Sequence, residues 1–399
     1  MKKILLLGGS AQQIVAINKA KELGYYTVLC DYLSDNPGQY CADKFYQTST
    51  TDKEAVLQIA NDEKIDGIIA YASDPAAPTA AYVAERLGLP TNPYESVEIL
   101  CNKDRFRNFL LNNGFNAPIA YGCSEIAEAK DVLNNIEFPI IVKPVDSSGS
   151  KGATVLYSLE NVDEALEAAF SFSRSKRIII ESFIEKNHPY LIGGDVFVVD
   201  GKIILWGFLN CHRDERVNEL VPVGKSYPLE LSDEYEHAVH KALQDMVDKL
   251  GIKQGAMNVE LVVDKNERVW PIDVGPRNGG NMIPDLLGMI FGVDVVDMSL
   301  RAAMGESLNV NVREGTPYFA THNLHSDKDG VYSDIIFDDA IEKYIVKKCL
   351  YKKDGDTVEF FDNASKALGI VFLKFENMSE MSEILSNIYD HIKIVLRRI

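Results

Sequence analysis

The period of apolar and polar positions changes several times along this 399-residue chain. At the start, Ile4–Leu7 predicts a buried strand, Gly8-Gly9-Ser10 a turn and Gln12–Leu23 a helix. Thr27–Cys30 repeats the strand signal and ends at Asp31. A helix at Lys53–Glu63, a strand at Gly67–Tyr71 and a helix at Pro78–Leu87 follow. Such alternation predicts a parallel sheet with right-handed crossovers. The cluster Gly88-Leu-Pro-Thr-Asn-Pro93 marks a boundary. Beyond it the spacing predicts a helix over Ser96–Asn112 and buried strands over Phe138–Pro144 and Arg177–Ile184. Val196–Leu209 reads as a hairpin turning at Asp200-Gly201, and Leu231–Leu250 as an amphipathic helix. Met257–Val263 and Arg268–Val274 flank the polar segment Asp264-Lys-Asn-Glu267 and read as a further hairpin. From about residue 310 a smaller α/β segment runs on, with a strand at Ile370–Phe375 and a helix at Met378–Val395.

Charged residues inside these apolar runs carry the chemistry. Glu260 and Asp273 each stand alone in one arm of the last hairpin and can converge on one face. Converging like charges repel unless a cation sits between them. Arg277 and the glycine-rich Asn278-Gly-Gly-Asn281 follow directly. Lys143 ends a buried strand beside Val145-Asp-Ser-Ser-Gly-Ser-Lys-Gly-Ala153, a loop of small residues whose N–H groups can close over phosphates. It is not a P-loop, because G-x-x-x-x-G-K-[ST] does not occur. Gly8-Gly9-Ser10 with Asp31 invites a dinucleotide reading, but GxGxxG is absent and Gln13 stands at the third glycine position. That turn is either plain packing or a seat for a substrate phosphate or carboxylate at a helix N-terminus. His212–Arg216 reads as a solvated charged loop sooner than as a site, and His322 and His325 as surface histidines, the alternative being that they reach the cleft from the tail.

Composition narrows the class. Apolar content of 46% and charged content of 25% are those of a globular protein. With 41 basic against 59 acidic residues the net charge is −18, which argues against nucleic acid as a partner. Six scattered cysteines without metal-ligand spacing predict reduced thiols and a cytoplasmic protein. The four apolar residues after Met-Lys-Lys are too few for a signal-peptide core, and no stretch predicts a membrane span.

In order, the chain presents Asn102-Lys103, Ile141-Val-Lys-Pro144, the Ser/Gly loop, Ile180-Glu-Ser-Phe-Ile184, Asn258-Val-Glu260 and Ile272-Asp-Val-Gly-Pro-Arg277. This succession resembles the ATP-grasp superfamily of ligases, among them biotin carboxylase, the carbamoyl-phosphate synthase large chain, glycinamide ribonucleotide synthetase and amino-acid ligases. The resemblance implies an α/β and α+β multidomain fold. Residues 1–95 would form a Rossmann-like pre-ATP-grasp domain and 96–310 the ATP-grasp domain, with a lid subdomain at about 115–185. Residues 311–399 would form a C-terminal α/β domain.

It also implies ATP and Mg²⁺ (or Mn²⁺) as cofactors, small-molecule carboxylate and amine substrates, and room for a homodimer. Lys103 and Lys143 would contact ATP phosphates, and Ser147, Ser148, Gly149, Ser150 and Gly152 would belong to the lid. Glu181 with the backbone of Phe183 and Ile184 would meet the adenine, and Asp195 is a candidate for the ribose. Glu260 and Asp273 would hold metal, and Arg277 with Lys143 would serve the chemistry. Ser73, Asp74, Arg213, Asn278, Gly280 and Asn281 are candidates for substrate contact. Many members carry Glu-x-Asn-Pro-Arg where this chain has Asp273-Val-Gly-Pro-Arg277, which removes one oxygen donor at Gly275. The expected activity is ATP-dependent carboxylate–amine ligation. The rivals are a nucleotide-dependent oxidoreductase at the Gly8 turn and a non-catalytic ATP-binding protein.

Overall fold

The computed structural model describes residues 1–147 and 149–397. Its first part is a four-stranded parallel sheet in the order Lys44–Gln47, Tyr26–Asp31, Lys3–Leu7, Gly67–Ile69. Leu5 and Leu7 are buried with Val56, Ala60 and Val83 from the crossover helices Lys53–Glu63 and Ala77–Leu87. The edge strand Lys44–Gln47, Lys-Phe-Tyr-Gln, has four residues and no alternation, too little to stand out in the sequence.

The single helix expected over Ser96–Asn112 is two helices, Tyr94–Cys101 and Lys103–Asn112. Asn102 breaks them apart in an extended conformation (φ −125°), its side chain accepting the Arg105 N–H at 3.1 Å. Asparagine competes for backbone donors in this way and so favours a cap over a helix interior. The break places Lys103 at the start of the second helix, with its N–H on the Val145 carbonyl.

A small antiparallel sheet follows, ordered Ala120–Cys123, Ile178–Ser182, Ile140–Pro144, Thr154–Leu156. Helices Ile126–Leu133 and Val162–Phe172 cover one face, burying Ala129, Leu166 and Ala169 against Val142 and Ile180. The other face carries Ile141 and Glu181, which are register partners.

An eight-stranded antiparallel sheet is the largest layer. It is ordered Val269–Gly275, Gly255–Val263, Leu191–Val199, Lys202–Asp214, Asn218–Tyr227, Phe319–Leu324, Gly369–Lys374, Ile345–Leu350. Strands from beyond residue 310 therefore continue the layer that carries Glu260 and Asp273. Helix Asp233–Leu250 packs Val239, Leu243 and Met246 on one face, against Val196, Val198 and Phe208. Helix Ile283–Phe291 packs Leu286 and Leu287 on the other, against Phe197 and Leu209.

Three expectations are corrected here. His212–Arg216 is not a solvated loop, since the strand runs through Asp214 and buries that carboxylate under Arg216, His325 and the Tyr389 hydroxyl. His322 and His325 are 5% and 6% exposed rather than on the surface, the first inside the strand Phe319–Leu324. The helix expected over Met378–Val395 stops at Ser386; a short turn Ile388–His391 leads to the strand Ile392–Arg397, which pairs with Gly330–Phe337. Ile392, Ile394 and Val395 are β-branched, and their fit to a pleated sheet overrides the helical spacing.

Candidate functional site

A cavity of about 500 Å³ lies between the small sheet and the large one. Its volume is that of a pocket for a nucleotide-sized ligand. One part is apolar, walled by Ile141, Ile184, Leu191, Val262 and Ile272. The other gathers Lys103, Lys143, Arg213, Glu260, Asp273 and the loop residues Ser147, Gly149 and Ser150. Gly149 (φ +68°) and Gly152 (φ +70°) give that loop two left-handed turns, where a Cβ is strained. Ser150 Oγ donates to the Leu220 carbonyl across the cleft at 2.8 Å. Ser148 lies outside the described residues.

Glu260 and Asp273 are direct register partners on adjacent antiparallel strands, which sets their Cβ atoms about 4.5–5.5 Å apart. Asp273 is half-exposed into the cavity, 3.8 Å from Lys103 Nζ. Its setting deep between the two sheets strips water from the carboxyl and pushes it up, but the cations Lys103, Lys143, Arg107 and Arg277 outweigh that and hold it below the usual range. Glu260 accepts from Arg213 at 3.2 Å, and Arg213 Nη1 is buried without a partner. An unpaired buried guanidinium nitrogen beside a lysine-lined wall suits an anionic ligand. Two hard carboxylates suit a divalent cation only in part. Among the described residues no group of three or more His, Cys, Asp or Glu side chains that could hold a metal comes together, so further oxygens would have to arrive with the ligand.

Lys143 is 7% exposed and held at 2.7 Å by Glu181, which is 2% exposed. Arg107 closes the group, with Nε 2.7 Å from Glu181 and Nη2 donating to the Ile272 carbonyl at 2.7 Å. Burial raises the Glu181 carboxyl, but Arg107 and Lys143 overcome this and bring it down to about 2. Burial, aided by Arg107 and Lys103, pushes the Lys143 ammonium down. Glu181, expected against an adenine, thus gives both oxygens to cations, because a buried carboxylate between two cations is neutralised by them first. Phe183 donates its N–H to the Pro139 carbonyl, so a contact from it to a base edge runs through its own carbonyl. Arg107 was the residue missed. It lies one helical turn after Lys103, the spacing that puts both side chains on one face.

Other predicted residues lie apart from this cavity. Asp195, the ribose candidate, is 1% exposed and accepts from the Gly279 N–H and from Asn258 Nδ2. Burial raises its carboxyl to about 6 against those donors and the cations Arg277 and Lys225, and its position anchors the Asn278–Asn281 turn instead. Glu185, which the sequence reading did not single out, does line the cavity, beside Ile184. Arg277 is gripped by Asp74 through two contacts, Nε to Oδ1 at 2.6 Å and Nη2 to Oδ2. Asn278 is 2% exposed and donates to Ser299 Oγ, and the Asn281 N–H donates to Gln12 Oε1. Gly280 lies against that same Gln12 oxygen, and Ser73 accepts the first amides of helix Ala77–Leu87. Lys225, 5% exposed, lies 2.5 Å from Cys211 Sγ over Gly193, where a Cβ would collide with that sulfur.

Residues 102–311 match the family model described as the carbamoyl-phosphate synthase L chain, ATP binding domain. The carbamoyl phosphate synthase large chain, C-terminal section, of Aquifex aeolicus (strain VF5) is 26% identical over 352 residues. That match covers 82% of this chain and 64% of the relative, so the chain spans less than two thirds of that relative's length. Among solved structures, the L-amino acid ligase of Bacillus licheniformis is similar, with a TM-score of 0.82 at 19% identity, covering 100% of this chain and 99% of the other. The phosphoribosylglycinamide synthetase of Anaerococcus prevotii reaches 0.76 at 21% identity, covering 99% and 100%. At such identities the structural likeness speaks for the fold.

Proposed function

The chain belongs to the family of the carbamoyl-phosphate synthase L chain ATP-binding domain, and on that premise we propose that it is an ATP-dependent carboxylate–amine ligase. It would activate a carboxylate as an acyl phosphate and release ADP and phosphate. The observation that carries this is the register pair Glu260–Asp273 facing Lys103, Lys143 and Arg213 across one slot. The apolar part takes a flat base, and the lysines and Arg213 take the phosphates. Arg277, held by Asp74 through Nε and Nη2 and by the Asn278 carbonyl through Nη1, keeps two N–H groups that would meet the reacting oxygens beside Asp273. Glu260 and Asp273 would hold a magnesium (or manganese) ion, which would supply Lewis-acid stabilisation of phosphate charge.

The chain's division into 1–95, 96–310 with a lid at about 115–185, and 311–399 is part of the same proposal. Glycinamide-ribonucleotide-synthetase-like and carbamoyl-phosphate-synthase-like activities are alternatives within it. An oxidoreductase at the Gly8 turn is disfavoured, because the Gln13 side chain fills that turn.

ADP release measured across a panel of carboxylates and amines tests the proposal. Release that requires one of each supports ligation; tight ATP binding with no release in any combination favours a non-catalytic ATP-binding protein. Two further outcomes are expected. Lys143→Ala should weaken ATP binding by roughly 1.5–3 kcal/mol, read by calorimetry, as a charge-assisted phosphate contact is lost; unchanged affinity in a folded variant removes Lys143 from the site. Mn²⁺ followed by electron paramagnetic resonance should bind the protein weakly alone and tightly with ATP present, since two carboxylates leave the ion's shell incomplete. Equal affinity with and without nucleotide would contradict that arrangement.

A further inference from the structure

Arg213 lines the nucleotide cavity at a point where its strand is irregular. The pairing of Lys202–Asp214 with Asn218–Tyr227 shifts register on both sides of it, between His212 and Arg213 and again between Arg213 and Asp214. Its partner there is Pro222, which has no N–H to give the ladder. Irregularities of this kind are common beside active sites, where they re-aim a side chain. The guanidinium so aimed reaches Glu260 Oε1 at 3.2 Å through Nη2, and its Nη1 is buried with no partner among the described residues. An aim set by a broken ladder needs holding from elsewhere.

The next residue is where it is held. Asp214 is 7% exposed, and three residues grip its carboxylate, two of them from beyond residue 310. Arg216 takes both oxygens, Nε to Oδ1 and Nη2 to Oδ2, each at 3.0 Å. The Tyr389 hydroxyl donates to Oδ2 at 2.7 Å, and His325 Nε2 lies 3.3 Å from the same oxygen. Burial pushes the carboxyl up, but the hydrogen bonds from His325, Arg216 and Tyr389 outweigh that and hold it well below the usual carboxylate range. The three holders are packed in turn. The Arg216 guanidinium carbon lies 3.2 Å from the centre of the Tyr389 ring, and the His325 ring rests on the buried Phe361 with centroids 4.5 Å apart. His325 follows the strand Phe319–Leu324, and Tyr389 lies in the turn Ile388–His391. Neither of the two lines the cavity. Their one route to it is the peptide that joins Asp214 to Arg213.

We infer that Tyr389, together with His325, is a positioning residue for the nucleotide site: through Asp214 it fixes the irregular end of the strand so that Arg213 keeps its aim at Glu260 and the nucleotide phosphates. The assignment rests on the reading of the cavity as a nucleotide site and gives residues from beyond 310 a part in it. Calorimetry on the full chain with Mg²⁺ and a non-hydrolysable ATP analogue tests it in four proteins: the parent, Tyr389→Phe, Arg213→Met and the double variant. Tyr389→Phe removes only the hydroxyl and keeps the ring against Arg216, and it should weaken binding of the analogue by about three- to tenfold. In the Arg213→Met background the same change should have no further effect, since the group it acts through is gone. A tyrosine that only supports the fold would show the same loss in both backgrounds. Asp214→Asn removes the charge of the acceptor and should give the same pattern, so the test does not hang on one variant folding. Undiminished affinity in Tyr389→Phe, or an equal loss with and without Arg213, overturns the inference and leaves the nucleotide site standing. An Arg213→Met protein that binds the analogue as the parent does overturns it as well. Failure of the parent to bind the analogue removes the nucleotide reading and this assignment together.

Discussion

Arg277→Ala is expected to lower kcat by about two to three orders of magnitude with a far smaller change in the KM for ATP. The guanidinium is fixed from two sides, by Asp74 and by the Asn278 carbonyl at 3.0 Å, and its own N–H is tied to the Gly275 carbonyl. It therefore needs no reorganisation when charge builds on the transferring oxygens, which is where such a contact contributes most. A contact made in the transition state but not the ground state lowers kcat and kcat/KM together. The rival account is a structural ion pair, in which removing Arg277 leaves Asp74 uncompensated and costs stability alone. Asp74→Asn separates the two. It loosens Arg277 without deleting it, so a partial loss of kcat is expected from it. Steady-state kinetics on both variants decide the matter, and an Arg277→Ala enzyme with undiminished turnover in the folded state contradicts the role.

Glu181→Gln is expected to destabilise the fold by about 3–5 kcal/mol, because it leaves Arg107 and Lys143 as unpaired buried cations. The pH dependence carries a second signature. The folded-state value of about 2 lies below the ordinary 4.5, so the unfolded chain takes up the proton first as the solution is acidified. The contribution is fully present above about pH 4.5 and is lost as pH falls toward 2. Its size is of the order of 3 kcal/mol. Urea midpoints at pH 7 should drop in the variant, and the loss of stability expected of the parent between about pH 4.5 and 2 should flatten. A variant with the parent's midpoint and the parent's acid limb would show that the triad contributes nothing.

Much of this site could be read from one-dimensional spacing, and the reasons are local. Glu260 and Asp273 are isolated acids in apolar arms of one hairpin, so the turn between them alone brings them opposite each other. Lys143 ends a strand whose apolar run dictates its burial. What stayed hidden depends on partners far along the chain. Arg107 and Glu181 are 74 residues apart and Arg277 and Asp74 are 203 apart, so neither pairing leaves a trace in local pattern. Asp195 looked like a free acid because the Gly279 amide that claims it comes from another element. The same holds for His325, whose burial depends on Asp214 and Tyr389 from two other segments. The strand Ile392–Arg397 was mistaken for helix because its edge exposure blurs the alternation that marks a strand.

Transfer of oxygen tests the proposed chemistry most directly. With the carboxylate and amine that together provoke nucleotide turnover, the carboxylate is labelled with ¹⁸O and the released phosphate is analysed by mass spectrometry. An acyl-phosphate route predicts ADP as the nucleotide product and one labelled oxygen carried from the carboxylate into inorganic phosphate. AMP with pyrophosphate, or phosphate free of label, would contradict it.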